Sequence, residues 1–191
     1  FGTEASRISD STIRIKAGQE IGVAATKTLT STMVTLIQLA LFFNFDLNKS
    51  VGNTISSLIK DISILPSSIS EVLNCETEIK KLGNSMSGYS NILYLGRGIN
   101  ISTALEGALK MKEIAYLHAE GYPAGEMKHG PIALLEEGSP VVVIAPNDSL
   151  KDTTVSSIQE CRARGAKIIL IHEEGYSIAE EADISIPVPA P

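Results

Sequence analysis

The runs Val141-Val-Val-Ile144 and Asn91-Ile-Leu-Tyr-Leu95 are apolar at nearly every position rather than at every second one. A strand with no polar face has to be covered on both sides, and a parallel sheet with helices above and below does that. The neighbouring segments fit this reading. A helix is predicted near 101–119, then a Gly/Pro-rich loop to Pro131, a strand over Pro140–Ala145, a helix over 149–164, a strand over Lys167–Ile171 and a last strand near 183–188. Gly165 suits the left-handed residue that closes the 149–164 helix, and Arg162 and Arg164 suit its negative end. The fold class is α/β, a doubly wound parallel sheet.

Upstream of this unit the pattern changes. Ser11–Lys16 alternates as a short strand would, Ala17-Gly18 breaks it, and Gln19–Leu41 reads as a long helix. From Asp46 to Leu82 the pattern is helical again, with Ile55, Leu58, Ile59 and Ile62 on one face and Pro66 expected to divide the stretch in two. A Ser/Gly/Asn-rich break after Gly83 precedes the first apolar strand. Three parts follow: residues 1–45, a helical connector over 46–90, and the α/β unit over 91–191. The chain opens on Phe1 and stops just after the strand-like Ile184-Ser-Ile-Pro-Val188, so it reads as a fragment.

Composition narrows the partners. Sixteen Lys plus Arg against twenty-two Asp plus Glu leave a net charge of −6, which argues against a nucleic acid held by a basic field. Cys75 and Cys161 are too few for a disulfide framework or a four-ligand zinc site and fit a reducing, cytoplasmic compartment. The longest apolar stretch, Leu39–Phe43, falls short of the ~18 residues that span a bilayer, so no membrane is expected.

The chemistry is concentrated between residues 96 and 131. Thr103 followed by Glu106 has the spacing of a capping box and predicts a helix start just past the strand, at the sheet edge where α/β folds bind ligands. On that helix Glu106, Lys110 and Glu113 recur at i, i+4 and i+7 and share one face. The remaining positions are apolar nearly all round, which predicts burial on most sides, and charges on a buried helix need a partner, a ligand or a proton. Glu113 is the candidate base. The loop Gly121–Pro131 adds Glu126, Lys128 and His129, and an imidazole can give and take a proton near neutrality. His118 and His172 are read as structural. Gly96-Arg97-Gly98 either cradles a phosphate or serves a tight turn, and Ser85-Met-Ser-Gly88 lies on the wrong sheet edge for a ligand.

Ala104–Glu120, Ala124-Gly-Glu-Met-Lys-His-Gly-Pro131 and Val141–Pro146 together closely resemble the isomerase half of the glucosamine-6-phosphate synthase (glutamine:fructose-6-phosphate aminotransferase) family, which is a pair of sugar-isomerase (SIS) domains of flavodoxin-like type. Ala17-Gly-Gln-Glu-Ile-Gly-Val-Ala-Ala-Thr-Lys27 resembles the segment at the end of that family's first SIS domain. The resemblance implies that 1–45 is the C-terminal part of the first SIS domain and 91–191 a second one, truncated at its C-terminus.

It also implies the conversion of fructose 6-phosphate and glutamine-derived ammonia into glucosamine 6-phosphate by imine formation and a ketose–aldose shift. Glu113 would move the proton between C1 and C2, with Lys110 stabilising developing charge beside it and Glu106 completing the polar stripe. His129 would open the sugar ring from the neighbouring subunit of a homodimer, and Val23 would line the sugar pocket through its backbone. No metal or organic cofactor is implied. The first domain's phosphate loops, a C-terminal Schiff-base lysine and a glutaminase domain belong to the family but not to these 191 residues, so the span alone is expected to be inactive. A sibling SIS isomerase or deglycase and a sugar-phosphate-sensing module are the alternative readings.

Overall fold

The computed structural model describes residues 3–48 and 52–190. Its elements are, in order, α1 (Glu4–Ile8), α2 (Lys27–Asn48), α3 (Asn53–Leu73), α4 (Glu76–Met86), β1 (Asn91–Gly96), α5 (Asn100–Ala115), β2 (His118–Pro123), β3 (Pro140–Ala145), α6 (Lys151–Arg162), β4 (Lys167–Glu173) and β5 (Ile184–Val188). Short 3-10 turns cover Ala124–His129, Pro131–Leu134 and Ser177–Glu181. The chain forms two compact units, residues 1–63 and 64–191.

All five strands are parallel, in the order β2-β1-β3-β4-β5. The register sets Leu93 beside Val141, Val142 beside Ile169, and Ile169 beside Ile184. Successive side chains point to opposite faces, so the apolar strands feed two cores. On one face Leu93, Leu95, Val141, Val143, Ile168 and Leu170 pack with Ile158 and Cys161 of α6 and with Met127. On the other, Ile92, Tyr94, Val142 and Ile169 pack with Ala104 and Ala108 of α5 and Met86 of α4. Each large side chain so buried contributes roughly 1.5–3 kcal/mol. The chain leaves β1 toward β2 on one side, while β3 lies on the other. The sheet therefore changes direction between β1 and β3.

Gly165 meets its expectation, closing α6 at φ +80, and a Cβ there would collide with the Glu137 carboxylate. Four local expectations are corrected. Residues 11–16 form no strand: no ladder partner pairs with them among the described residues, and Lys16 turns into the left-handed region at φ 51. The helix of this unit starts at Lys27 rather than Gln19. Pro66 lies inside α3 without dividing it, since proline removes one ladder bond and leaves those on either side. The break falls instead at Asn74–Cys75, whose amides bond to the carbonyls of Glu71 and Val72. Finally, β2 occupies part of the expected loop: His118–Pro123 has few strand-forming residues, but an edge strand needs only one neighbour, and β1 supplies it.

Helix α2 is also more apolar than its longest unbroken run suggests. Lys27–Phe45 is a 19-residue stretch of mean hydropathy 1.4, none of it buried, and by length and composition alone it is enough to cross a membrane. Thr, Ser and Gln interrupt the apolar run without adding charge.

Candidate active site

Gly96 and Gly98 set the path of the chain from β1 into α5. A Cβ on Gly96 would collide with the Asn100 carbonyl, and Gly98 adopts φ +57. The first turn of α5 then closes on backbone bonds, Asn100 to Arg97, Ile101 to Gly98 and Ser102 to Ile99. The helix therefore begins three residues before Thr103, and no side chain caps it. This replaces the expected capping box.

On α5 the expected stripe forms. Lys110 Nζ lies 2.5 Å from Glu113 Oε2 and 3.3 Å from Glu106 Oε1. All three side chains are half-buried, with relative exposures of 20–31%. The hydrogen-bonded Glu113 carboxylate holds the Lys110 pKa above the usual lysine value, Glu106 adding to this and partial burial opposing it. A carboxylate with a cation fixed beside it can take a proton while the ammonium offsets charge that builds up nearby. The rest of the helix departs from expectation. Only Ala104 and Ala108 are fully buried, whereas Leu105, Leu109 and Ile114 are exposed.

The loop after β2 is pinned by its apolar residues, Ala124 and Met127, which lie in the core. Its polar residues diverge. Lys128 Nζ pairs with Glu160 Oε1 of α6 at 2.7 Å, while Glu126 and His129 point away from the core. Among the described residues no hydrogen bond or ion pair joins His129 to the α5 stripe. Val23 belongs to the other compact unit and is 95% exposed.

Arg97 is committed to the fold. Its Nη2 donates to Ser157 Oγ at 2.8 Å and to the Thr153 carbonyl at 3.2 Å, tying the end of β1 to α6. The glycines on either side satisfy the turn. Arg97→Ala is therefore expected to lower stability by about 1–2 kcal/mol in chemical denaturation. Unchanged stability with weakened phosphate binding would restore the anion-cradle reading.

His172 and Cys161 are both buried. His172 links β4 to β5, with Nε2 2.6 Å from Ser185 Oγ and Nδ1 2.7 Å from the Glu173 carbonyl. Burial pushes the Cys161 thiol up to about 11, which keeps it protonated and unreactive. Among the described residues no group of three or more His, Cys, Asp or Glu side chains could hold a metal ion.

Two polar arrangements escaped the sequence. On β2, His118 Nδ1 lies 3.1 Å from Asn91 Oδ1, His118 Nε2 lies 3.5 Å from Glu120 Oε1, and the Tyr122 hydroxyl donates to Glu120. Asn91, His118 and Glu120 of this row border a cleft of about 380 Å³ beside the start of β3. The row becomes legible as an alternating pattern only once β2 is known to be a strand. The second is Glu20, which accepts hydrogen bonds from both the backbone and the hydroxyl of Thr28. Its only signal is a carboxylate shortly before a Thr-rich helix start.

Comparison with known proteins gives the context. The SIS domain model matches residues 85–191. A glutamine–fructose-6-phosphate aminotransferase (isomerizing) of Corynebacterium glutamicum is 44% identical over 193 aligned residues, covering 98% of this chain and 31% of that protein. One of Pyrococcus horikoshii is 45% identical over 188, again 98% and 31%. The solved C-terminal domain of glucosamine-fructose-6-phosphate aminotransferase from Francisella tularensis superposes with a TM-score of 0.90 at 38% identity, over 97% of this chain and 52% of that one. The chain thus spans about a third of the length of these curated relatives. A buried parallel sheet, a polar stripe on the helix leaving its first strand, and likeness along nearly every residue agree: the chain belongs to the SIS-domain family, over a span similar in sequence to glutamine–fructose-6-phosphate aminotransferases.

Proposed function

We propose that this chain is part of the isomerase unit of a glutamine–fructose-6-phosphate aminotransferase. Residues 1–45 are the end of a first SIS domain, 46–90 a helical connector and 91–191 most of a second SIS domain. Ammonia released from glutamine by a glutaminase domain of the same protein attacks the C2 ketone of fructose 6-phosphate, and water leaves as the imine forms. The imine nitrogen is protonated as the Glu113 carboxylate takes a proton from C1, giving an enaminol with an amino group at C2; Glu113 returns its proton to C2, and the proton shed by the C1 hydroxyl balances the one the nitrogen took up. The C1 hydroxyl then loses its proton to become the aldehyde of glucosamine 6-phosphate. Lys110 offsets the charge that develops in between, and Glu106 holds Lys110 from the other side. His129 opens the sugar ring across a homodimer interface, consistent with its exposed position apart from the stripe. Val23 binds the sugar through its backbone. The chemistry requires no metal or organic cofactor, and the protein works in the cytoplasm with α2 as a protein-packing helix rather than a membrane span.

The observation that carries this reading is the half-buried ammonium of Lys110 held between two carboxylates on one helix face, within a chain similar throughout to the aminotransferases. The test incubates the full-length protein that contains these residues with fructose 6-phosphate, with and without glutamine. Glucosamine 6-phosphate formed only with glutamine is the expected result. Glucose 6-phosphate alone, or no product, would move the reading to a sibling isomerase or a sugar-phosphate sensor.

A further inference from the structure

The segment from Gln19 to Thr26 has no regular secondary structure, yet it is closed at both ends. Thr28 N–H donates to Glu20 Oε2 at 3.1 Å, the Thr28 hydroxyl donates to the same oxygen, and the Thr26 hydroxyl donates to Glu20 Oε1 at 3.1 Å. Lys27 Nζ donates to the Gln19 carbonyl at 2.6 Å. Thr28 is the second residue of α2, so the Glu20 carboxylate reaches across the loop and caps a first-turn amide of the helix, with its charge at the positive end of the helix. Within the loop Ala24 is buried, while Ile21 and Val23 are 94% and 95% exposed.

A free loop of this size samples many backbone states, and fixing each residue in one of them costs conformational entropy. The two oxygens of Glu20 offset part of that cost before any ligand arrives. The hydrogen bonds from Thr28, above all from its hydroxyl, hold the Glu20 carboxyl down to about 2, so it is ionised at any ordinary assay pH.

We infer that Glu20 is a positioning residue for substrate: by clipping Gln19–Lys27 to the start of α2, it presents the Val23 backbone in the one conformation that binds the sugar. This rests on the proposed function above. Both Glu20 oxygens are occupied by Thr26 and Thr28, so the side chain serves the loop rather than the reacting atoms.

The experiment uses the full-length protein and steady-state kinetics with fructose 6-phosphate, together with amide hydrogen exchange over Ile21–Ala24. Glu20→Ala is expected to raise KM about tenfold with kcat within about threefold, because the backbone contact is made equally in ground and transition states. Exchange over Ile21–Ala24 should quicken. Thr28→Val, which removes one donor and keeps the shape, is expected to raise KM about threefold and carries the test if Glu20→Ala does not fold. An unchanged KM alongside a lowered melting temperature would make Glu20 a helix cap only and overturn the inference. A wild-type protein that turns over no fructose 6-phosphate would instead sink the proposed function and the sugar role with it, even if exchange in Glu20→Ala still quickened.

Discussion

Glu113→Gln in the full-length protein is expected to lower kcat for glucosamine 6-phosphate formation by about 10²–10⁴-fold, the usual contribution of a positioned acid–base group. Gln has the shape of Glu and can still accept a hydrogen bond from Lys110, whose Nζ lies 2.5 Å from the carboxylate. What it loses is the capacity to hold a proton. KM for fructose 6-phosphate should therefore stay within a few-fold, since a base in the proposed role would act on C1 and C2 in the transition state rather than on the bound ground state. Stability should change little, because the stripe is partly exposed and solvent screens the pair. A matching fall in kcat and in melting temperature would point to a folding role. A kcat near wild type would remove Glu113 from the mechanism.

Gly96→Ala is expected to destabilise the protein by about 3 kcal/mol or more, at the upper end of overpacking substitutions. The added Cβ would collide with the Asn100 carbonyl and lie 2.9 Å from Ile101 N, both backbone atoms that no rotamer change can move aside. To admit it, α5 would have to lift from β1 and open the layer in which Tyr94 packs with Ala104 and Ala108. Gly121 backs the same helix at β2, where a Cβ would stand 2.7 Å from Leu105 Cα. Because α5 carries Glu106, Lys110 and Glu113, turnover should fall with stability. Gly83→Ala is the control: it sits inside α4, where an added Cβ would meet no atom within 4 Å. That change should stabilise the protein by about 0.5–1 kcal/mol. Urea unfolding of the two variants separates close packing from glycine loss in general. A loss of less than about 1 kcal/mol in Gly96→Ala would mean that strand and helix can part at little cost.

The strands buried on both faces were legible from sequence because their physics is local. Val141–Ile144 and Ile92–Leu95 have no polar face to offer water, so only a covered parallel sheet accommodates them. Strand β2 was not legible. His118, Glu120, Gly121 and Pro123 are poor strand formers, and its existence depends on a backbone partner remote in sequence. The Glu106–Lys110–Glu113 row was readable because helical periodicity alone brings positions i, i+4 and i+7 together. The start of its helix was not, because Gly98 in the left-handed region lets the turn begin before the apparent cap at Thr103. The burial expected around α5 also failed, since an apolar residue such as Leu105 or Ile114 reports what a face can pack against and not whether anything covers it within this chain. Glu20 was passed over for a related reason: its partners, Thr26 and Thr28, are set by the fold of a loop and not by a period.

If the α5 stripe moves a proton between C1 and C2 of a sugar phosphate, an isotope placed at C1 has to follow that proton. The most direct measurement supplies the full-length protein with glutamine and fructose 6-phosphate deuterated at C1, and follows the label by NMR in the wild type and in Glu113→Gln. The wild type is expected to carry deuterium from C1 to C2 of glucosamine 6-phosphate or to release it to water, and Glu113→Gln to do so at less than about 1% of that rate. Loss of deuterium from C1 at an undiminished rate in Glu113→Gln would contradict the role given to the stripe.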